Sequence, residues 1–472
     1  TGGRSKRITR GLLPIPTSIM GLTDGLRSIA MDLGFIEKPK VTPLLPFFEC
    51  VIAFTCLVYL FETYLEFRQR KYILKGPSPD FKSREGFKQE DFDLVQKYTL
   101  DKWRFGLVKD LVTTLENLAI LWFRVLPWLW DVSASLTKSL PLAAVGLDPT
   151  NEVWVSTMFI YLISLESMVV NLPFSVYFTF VLEQKHGFNK QTPRVFVTDM
   201  IKGLVLTLLF VPPIFALIIP ILEQTGPLMA LYLWAALLAL TLVMMTIYPV
   251  FIAPLFNKFT PLEDGALKSR IEALAASLKY PLAKLYVKDG SARSSHSNAY
   301  MYGFWKNKRI VLYDTLLTQS AGHDGEVVAI LAHELGHWKL SHTMCLFLSQ
   351  QVVMLLQFGL FSAVRFAPGI FDSFGFEGAQ PVFVGLLLFQ YIFTPVSSAL
   401  SFGANVLSRR YEFQADAFAA DLGYTADLKK ALLRLEKENK SCPNVDPWYA
   451  AYHYSHPPME ERLGALTALK KD

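Results

Sequence analysis

The residues best placed to do chemistry lie in one short run, His333-Glu334-Leu335-Gly336-His337. Histidines four apart share one face of a helix, so both imidazoles can meet a single metal ion. The acid between them stands beside that ion rather than on it, where it can take a proton from a water the metal polarises. Zinc lowers the pKa of such a water from about 16 to about 7, which makes a nucleophile available at neutral pH. Val327, Ile330, Leu331 and Leu335 recur at helical spacing, with acids before them and a long apolar run after. The pattern predicts the helix the motif needs.

Catalytic zinc takes three protein ligands and keeps one position open. The third is expected at Glu412, in Tyr411-Glu-Phe-Gln-Ala-Asp416. Glu412 and Asp416 are four apart and share a helix face. Glu412 can bind the metal while Asp416 accepts the N–H of a ligand histidine, fixing its tautomer and ring orientation. The competing reading is a solvated acid pair on a helix that also carries Arg409 and Arg410.

Composition says what must hold these groups. The length of 472 residues would accommodate roughly three soluble domains. Hydrophobic residues reach 52%, however, and charged residues only 18%, against about 25% in a soluble domain. Mean hydropathy is +0.30. This excludes a soluble multidomain enzyme and a disordered chain. The net charge of +5, from 46 Lys+Arg and 41 Asp+Glu, is not gathered into one stripe, which argues against a nucleic-acid partner. Cys50, Cys56, Cys345 and Cys442 are too scattered for a disulfide scaffold and form no C-x-x-C pair.

A helix crosses the hydrocarbon layer with about 20 apolar residues. Residues 224–257, 343–364 and 378–408 meet that length without a charge, and 203–222 meets it with Pro212, Pro213 and Pro220 inside. Residues 44–65 (Glu49, Glu62) and 153–182 (Glu166) meet it with acids tolerated, and 108–130 is the weakest, with Glu116 and Arg124 inside. For that last segment a buried or interfacial helix is the alternative. Seven spans are expected. Arg68, Arg70, Lys71, Lys75, Lys82 and Arg84 follow the first, and Arg409-Arg410 follow the last. The positive-inside rule then places the N-terminus in the lumen, with 257–341 and 409–472 in the cytosol. The expected division is an N-terminal extension, 1–43; a membrane domain of five spans, 44–256; a catalytic segment, 257–341; two more spans, 342–408; and a second catalytic segment, 409–472. Within 257–341, Leu267, Ile271, Leu274 and Leu278 predict an amphipathic helix, and 284–287 and 309–313 predict strands. Glu116 and Glu166 are expected to face the interior of the membrane domain.

Blocks of sequence in order along the chain resemble the type I CAAX prenyl proteases, a family of polytopic zinc metalloproteases. They are Glu183-Gln-Lys-His-Gly-Phe-Asn189, Ala253-Pro-Leu-Phe-Asn-Lys-Phe-Thr-Pro261, Arg293-Ser-Ser-His-Ser-Asn-Ala-Tyr300, Lys308-Arg-Ile-Val-Leu-Tyr-Asp-Thr315, the His333–His337 run, Ser408-Arg-Arg-Tyr-Glu-Phe-Gln-Ala-Asp-Ala417 and His453-Tyr-Ser-His-Pro-Pro458. The first 40 or so residues match nothing in the family, and 316–325 is short where some relatives carry a charged insertion. The resemblance implies a mainly α, polytopic membrane protein with seven transmembrane helices around a large intramembrane chamber. A small cytosolic α+β zinc-metalloprotease domain would accompany them. It implies removal of the C-terminal tripeptide from prenylated CAAX proteins, with a second cut nearer the N-terminus in some members. It also implies residence in the endoplasmic reticulum membrane, extending to the nuclear envelope. The expected partners are prenylated CAAX substrates and the bilayer, the expected cofactor is Zn2+, and the chain is expected to act as a monomer.

The same resemblance assigns further roles. His456, held by the stiff Pro457-Pro458 turn, would stabilise the oxyanion. Arg462 would bind a substrate carbonyl or pair with Asp416. The strand entered through Asn298 and Ala299 would pair with the substrate backbone. His186, His296 and His453 are expected to be structural, and His323 and His342 to lie at the surface or membrane interface. Two other readings are a membrane protein with a structural zinc clip, which would want a fourth ligand, and a broad-specificity quality-control zinc protease.

Overall fold

Hydrocarbon offers no hydrogen-bond partners, so apolar runs of this length must fold as helices that satisfy their own backbone. The computed structural model of the protein describes residues 46–82, 88–224, 226–303, 306–365, 367, 369–378 and 380–469. The N-terminal extension expected at 1–43 lies outside them. The long helices are α1 (Phe47–Ile73), α2 (Gln89–Trp122), α3 (Val125–Ser139), α4 (Glu152–Tyr177), α5 (Pro193–Gln224) and α6 (Met229–Ile247). A catalytic segment of α7 (Ala266–Ser277), a four-stranded sheet and α8 (Asp324–Lys339) follows. Then come α9 (His342–Val364), α10 (Val382–Asp421), α11 (Thr425–Glu438), α12 (Pro447–His453) and α13 (Met459–Ala468).

Six helices among the described residues are long and apolar enough to cross a membrane: α1, α4, α5, α6, α9 and α10. The segment 108–130 departs from the expected single rod. It is split between α2 and α3 at Arg124, whose φ of 54° is left-handed. Averaged hydropathy runs straight across that break, and the first half of α2 is too charged to lie in lipid. Beyond the break, Leu126 and Trp130 of α3 pack on Val155 and Phe159 of α4. Pro212, Pro213 and Pro220 sit inside α5 without ending it. Both α4 and α6 run on into π-helical turns, Phe178–Glu183 and Tyr248–Ile252.

The membrane rods pack in separate clusters. One joins α1, α2, α3 and α4 to the α9–α10 connection and the start of α10 through Phe48, Phe159, Phe371 and Leu388. Another joins α5, α6, α9 and α10 through Leu222, Leu233, Phe361 and Phe389. Elsewhere polar side chains meet one another between rods. The carboxyls of Glu116 and Glu166 lie beside each other across α2 and α4, and Gln357 donates to Gln390 at 2.8 Å. A cavity of about 260 Å³ is lined by Glu62, Ser397, Ser398, Ser401, Phe402 and Tyr452.

The sheet consists of β1 (Phe259–Pro261), β2 (Leu282–Lys288), β3 (Ala299–Tyr302) and β4 (Lys308–Tyr313), in the order β1-β2-β4-β3. The β2–β4 pair is parallel and the other two pairs antiparallel. Thus β3 is an edge strand, bonded among the described residues to β4 on one side only. Ile271 and Leu274 of α7, Ile310 and Leu312 of β4, and Leu331 and Leu335 of α8 close the core of this part.

Candidate active site

Two helices carry the candidate site, and a glycine sets how closely they meet. A Cβ on Gly336 would stand 3.3 Å from Ala415 Cα and 3.1 Å from Phe418 Cδ1. A larger residue there would press α8 away from α10. The N-terminal turn of α8 is anchored by Glu326, buried and bound by Arg434 Nε of α11 at 2.6 Å. The last turns of α10 run beyond the apolar span and bury Glu412, Ala415 and Asp416 against α8.

His333, His337 and Glu412 converge so that their ligand atoms all lie within 4.8 Å of one another. His333 Nε2 is 3.2 Å from His337 Nε2. Glu412 Oε1 is 3.2 Å from His337 Nε2, and Oε2 is 3.5 Å from His333 Nε2. Ligands at 2.0–2.1 Å from a tetrahedral zinc ion stand about 3.3–3.4 Å apart, so the three contacts have the size of one face of such a tetrahedron. Glu412 Oε2 is buried and lacks an aligned donor. His456 Nδ1 comes within 2.9 Å of it, but the approach is not directed as a hydrogen bond. A buried carboxylate oxygen left in that state fits a cation. The donor set of two imidazoles and one carboxylate, with no fourth protein ligand among the described residues, leaves a coordination position for a reacting molecule.

Further side chains bond to the candidate ligands. Asp416 is 1% exposed and accepts from His333 Nδ1 at 2.8 Å, which leaves Nε2 for the metal. Arg462 holds Asp416 with both arms of its fork, Nε at 2.8 Å and NH2 at 2.6 Å. Of the two roles the sequence left open for Arg462, this geometry matches pairing with Asp416. His456 is the exposed member of the site, with a side chain 68% accessible. Its loop is set by α12, which α1 pins in place. Arg68 Nε and NH2 bind Asp446, at 3.2 and 3.0 Å, and Tyr449 and Tyr452 donate to Glu66 and Glu62. Asn298 is exposed at the entry to β3, with Oδ1 capping Ala299 N at 2.8 Å.

Glu334 is partly buried, and burial pushes its carboxyl above the ordinary range; Glu412 adds to that while His333 and His337 oppose it. A carboxyl held closer to neutrality both takes and returns a proton. Burial alone would depress the imidazole of His333, but in the metal-free protein Asp416 and Glu412 outweigh it and push the pKa up to about 9. A ligand histidine must be neutral, so below that pH metal must displace a proton. Apparent zinc affinity of the chelator-stripped protein should therefore rise about tenfold per pH unit from 7 toward 9. Chelator competition at three pH values measures this, and a flat profile would contradict it.

The remaining histidines divide as follows. His186 bonds Asp101 at 2.8 Å. His296 stacks on Phe188 and lies 3.4 Å from Glu183. His453 packs on Tyr449, and His323 is exposed beside Glu326. His342 differs from its expected surface or interfacial place. It is 3% exposed and its Nδ1 lies 3.1 Å from Nδ1 of His337. The available signal was its position five residues beyond the metal motif.

Membrane-crossing helices and a two-histidine, one-carboxylate centre on abutting helices define a membrane-embedded zinc metallopeptidase. A profile described as "CAAX prenyl protease N-terminal, five membrane helices" matches residues 69–258, and one described as "Peptidase family M48" matches 261–470. The chain belongs to the CAAX prenyl protease family of M48 peptidases. The rice protein named CAAX prenyl protease 1 homolog is 53% identical over 89% of this chain and 97% of its own length. The Saccharomyces cerevisiae CAAX prenyl protease 1 is 37% identical over 90% and 96%. The crystal structure of S. mikatae Ste24p superposes with a TM-score of 0.83 at 38% identity, covering 90% of this chain and all of that one.

Proposed function

We propose that this protein cleaves the peptide bond after a prenylated cysteine and releases the C-terminal tripeptide of CAAX substrates. The proposal extends to a second cut nearer the N-terminus of a prenylated precursor. The observation that carries it is the His333–His337–Glu412 triangle, set at the end of membrane rods in a chain so close to proteases named for that substrate. A single prenyl chain gives its protein only a marginal, reversible hold on the bilayer, so an enzyme embedded there meets the tail where it resides.

His333, His337 and Glu412 would hold a zinc ion, which would supply Lewis-acid polarisation at the scissile bond. Glu334 takes the proton from the attacking water and passes it to the leaving amine. His456 donates to the oxygen that gains charge in the transition state. Asp416, held by Arg462, keeps His333 in the metal-binding tautomer. The free edge of β3, entered through Asn298 and Ala299, aligns the peptide by backbone hydrogen bonds. In this reading α2 and α3 complete a seventh crossing, the rods enclose the chamber in which cleavage occurs, and the segments 257–341 and 409–472 face the cytosol. The protein acts as a monomer in the endoplasmic reticulum membrane and nuclear envelope.

The test compares one CAAX peptide with and without its farnesyl group. The farnesylated peptide should be cleaved with kcat/KM at least tenfold higher, and chelation should abolish cleavage until zinc is restored. Equal rates for the two peptides would favour the broad-specificity protease instead.

A further inference from the structure

The first ligand histidine has a clear support in Asp416, whereas the catalytic reading gives no role to whatever supports the second. The chain provides a group for this at an unusual place. After α8, Ser341 adopts a left-handed conformation, φ 59°, which costs a non-glycine residue about 1 kcal/mol or more. The bend starts α9 at His342 and returns that ring against the helix it has just left. There His342 Nδ1 lies 3.1 Å from His337 Nδ1. The opposite nitrogen, Nε2, lies 2.9 Å from Gln414 Oε1. The ring stacks on Tyr411 at 4.1 Å and 8°. Tyr411 and Gln414 flank Glu412 on α10.

Proton bookkeeping allows one arrangement when metal is bound. A carbonyl oxygen can only accept, so His342 Nε2 carries the proton that it donates to Gln414. The neutral ring then presents a lone pair at Nδ1, which accepts from His337 Nδ1–H. That leaves the Nε2 lone pair of His337 turned toward His333 and Glu412. With the opposite tautomer of His342, His337 would carry its proton on Nε2 and could not bind a metal.

We infer that His342 is a positioning residue that fixes the tautomer and orientation of the zinc ligand His337, and that Gln414 and Tyr411 couple it to the helix supplying Glu412. This deepens the active-site reading and rests on it. The two histidines are then braced differently: His333 by an ionised carboxylate locked to Arg462, His337 by a neutral imidazole. The neutral brace sets orientation without adding a second buried anion behind the ligands.

The test uses the full-length protein in detergent and reads zinc affinity by chelator competition, alongside the melting temperature of the metal-free form. H342F keeps a ring to stack on Tyr411 but deletes the acceptor, and zinc affinity should fall about 10–100-fold, the range found for groups that orient metal ligands. H342N offers Oδ1 where Nδ1 stood and should recover affinity to within about threefold of wild type, by the same acceptor logic. Wild-type zinc affinity in H342F, or equal losses in H342F and H342N, would overturn the inference by reducing His342 to packing. If H342F does not fold, Q414L carries the test, because that exposed residue fixes only the tautomer of His342. A several-fold loss of zinc affinity with an unchanged metal-free melting temperature is expected, and no loss would overturn the inference. Failure of the parent reading is separate, since it would show as no zinc and no chelator-sensitive cleavage in the wild-type protein.

Discussion

Replacing Glu334 with glutamine should leave zinc at wild-type stoichiometry while kcat/KM for a farnesylated CAAX peptide falls by about 10³-fold or more, the upper part of the range for a positioned general base. Glutamine matches the acid in size and keeps the helix, so His333, His337 and Glu412 stay where they are. What disappears is a group that can take a proton and give it back. Glu334 lies within electrostatic reach of both histidines, Glu412, His456 and Arg462, among the groups that the proposed hydrolysis uses. Its raised pKa suits both halves of the task, because a very acidic carboxylate would accept the proton poorly. A variant that bound zinc normally and still released the tripeptide near the wild-type rate would remove Glu334 from the mechanism.

The metal motif was legible because metal chemistry imposes spacing. Two imidazoles on one ion require a helical repeat, and an acid pair such as Glu412 and Asp416 requires the same repeat. The seating of these helices follows from Gly336, which sequence shows only as a small residue. The helical rods were legible for a similar reason, since a charge-free run of that length has few other fates. Where charge and hydrophobicity mix, the reading loses resolution, and the break at Arg124 within 108–130 is the example. His342 escaped for a different reason. Its approach to His337 depends on a serine in a left-handed conformation, and serine carries no preference that would announce it. Arg462 was legible as a cation near the site, but choosing Asp416 as its partner needs coordinates, because 46 residues separate them.

Charge rather than shape should decide the outcome at Glu412, the proposed third ligand. Glu412→Gln preserves volume and hydrogen-bonding reach, yet the expected zinc affinity falls by more than about 100-fold, beyond the loss caused by removing a group that only orients a ligand. Four positive or protonatable groups surround this carboxylate: His456 Nδ1 at 2.9 Å, His337 Nε2 at 3.2 Å, His333 Nε2 at 3.5 Å and Arg462 NH1 at 3.6 Å. With the carboxylate present they are balanced and a divalent cation can enter. With an amide in its place, the metal-free site keeps the positive charge of Arg462 and loses the nearest anion, so a cation is both less held and more repelled. Asp416 cannot substitute, since its two oxygens are committed to Arg462 and His333. Cleavage of a farnesylated peptide should fall with zinc occupancy and recover only in part at high zinc. Measuring metal content and rate on the same E412Q preparation separates the possibilities. Full zinc occupancy there would mean that the third ligand lies elsewhere and that the triangle on α8 and α10 is a structural acid–histidine cluster.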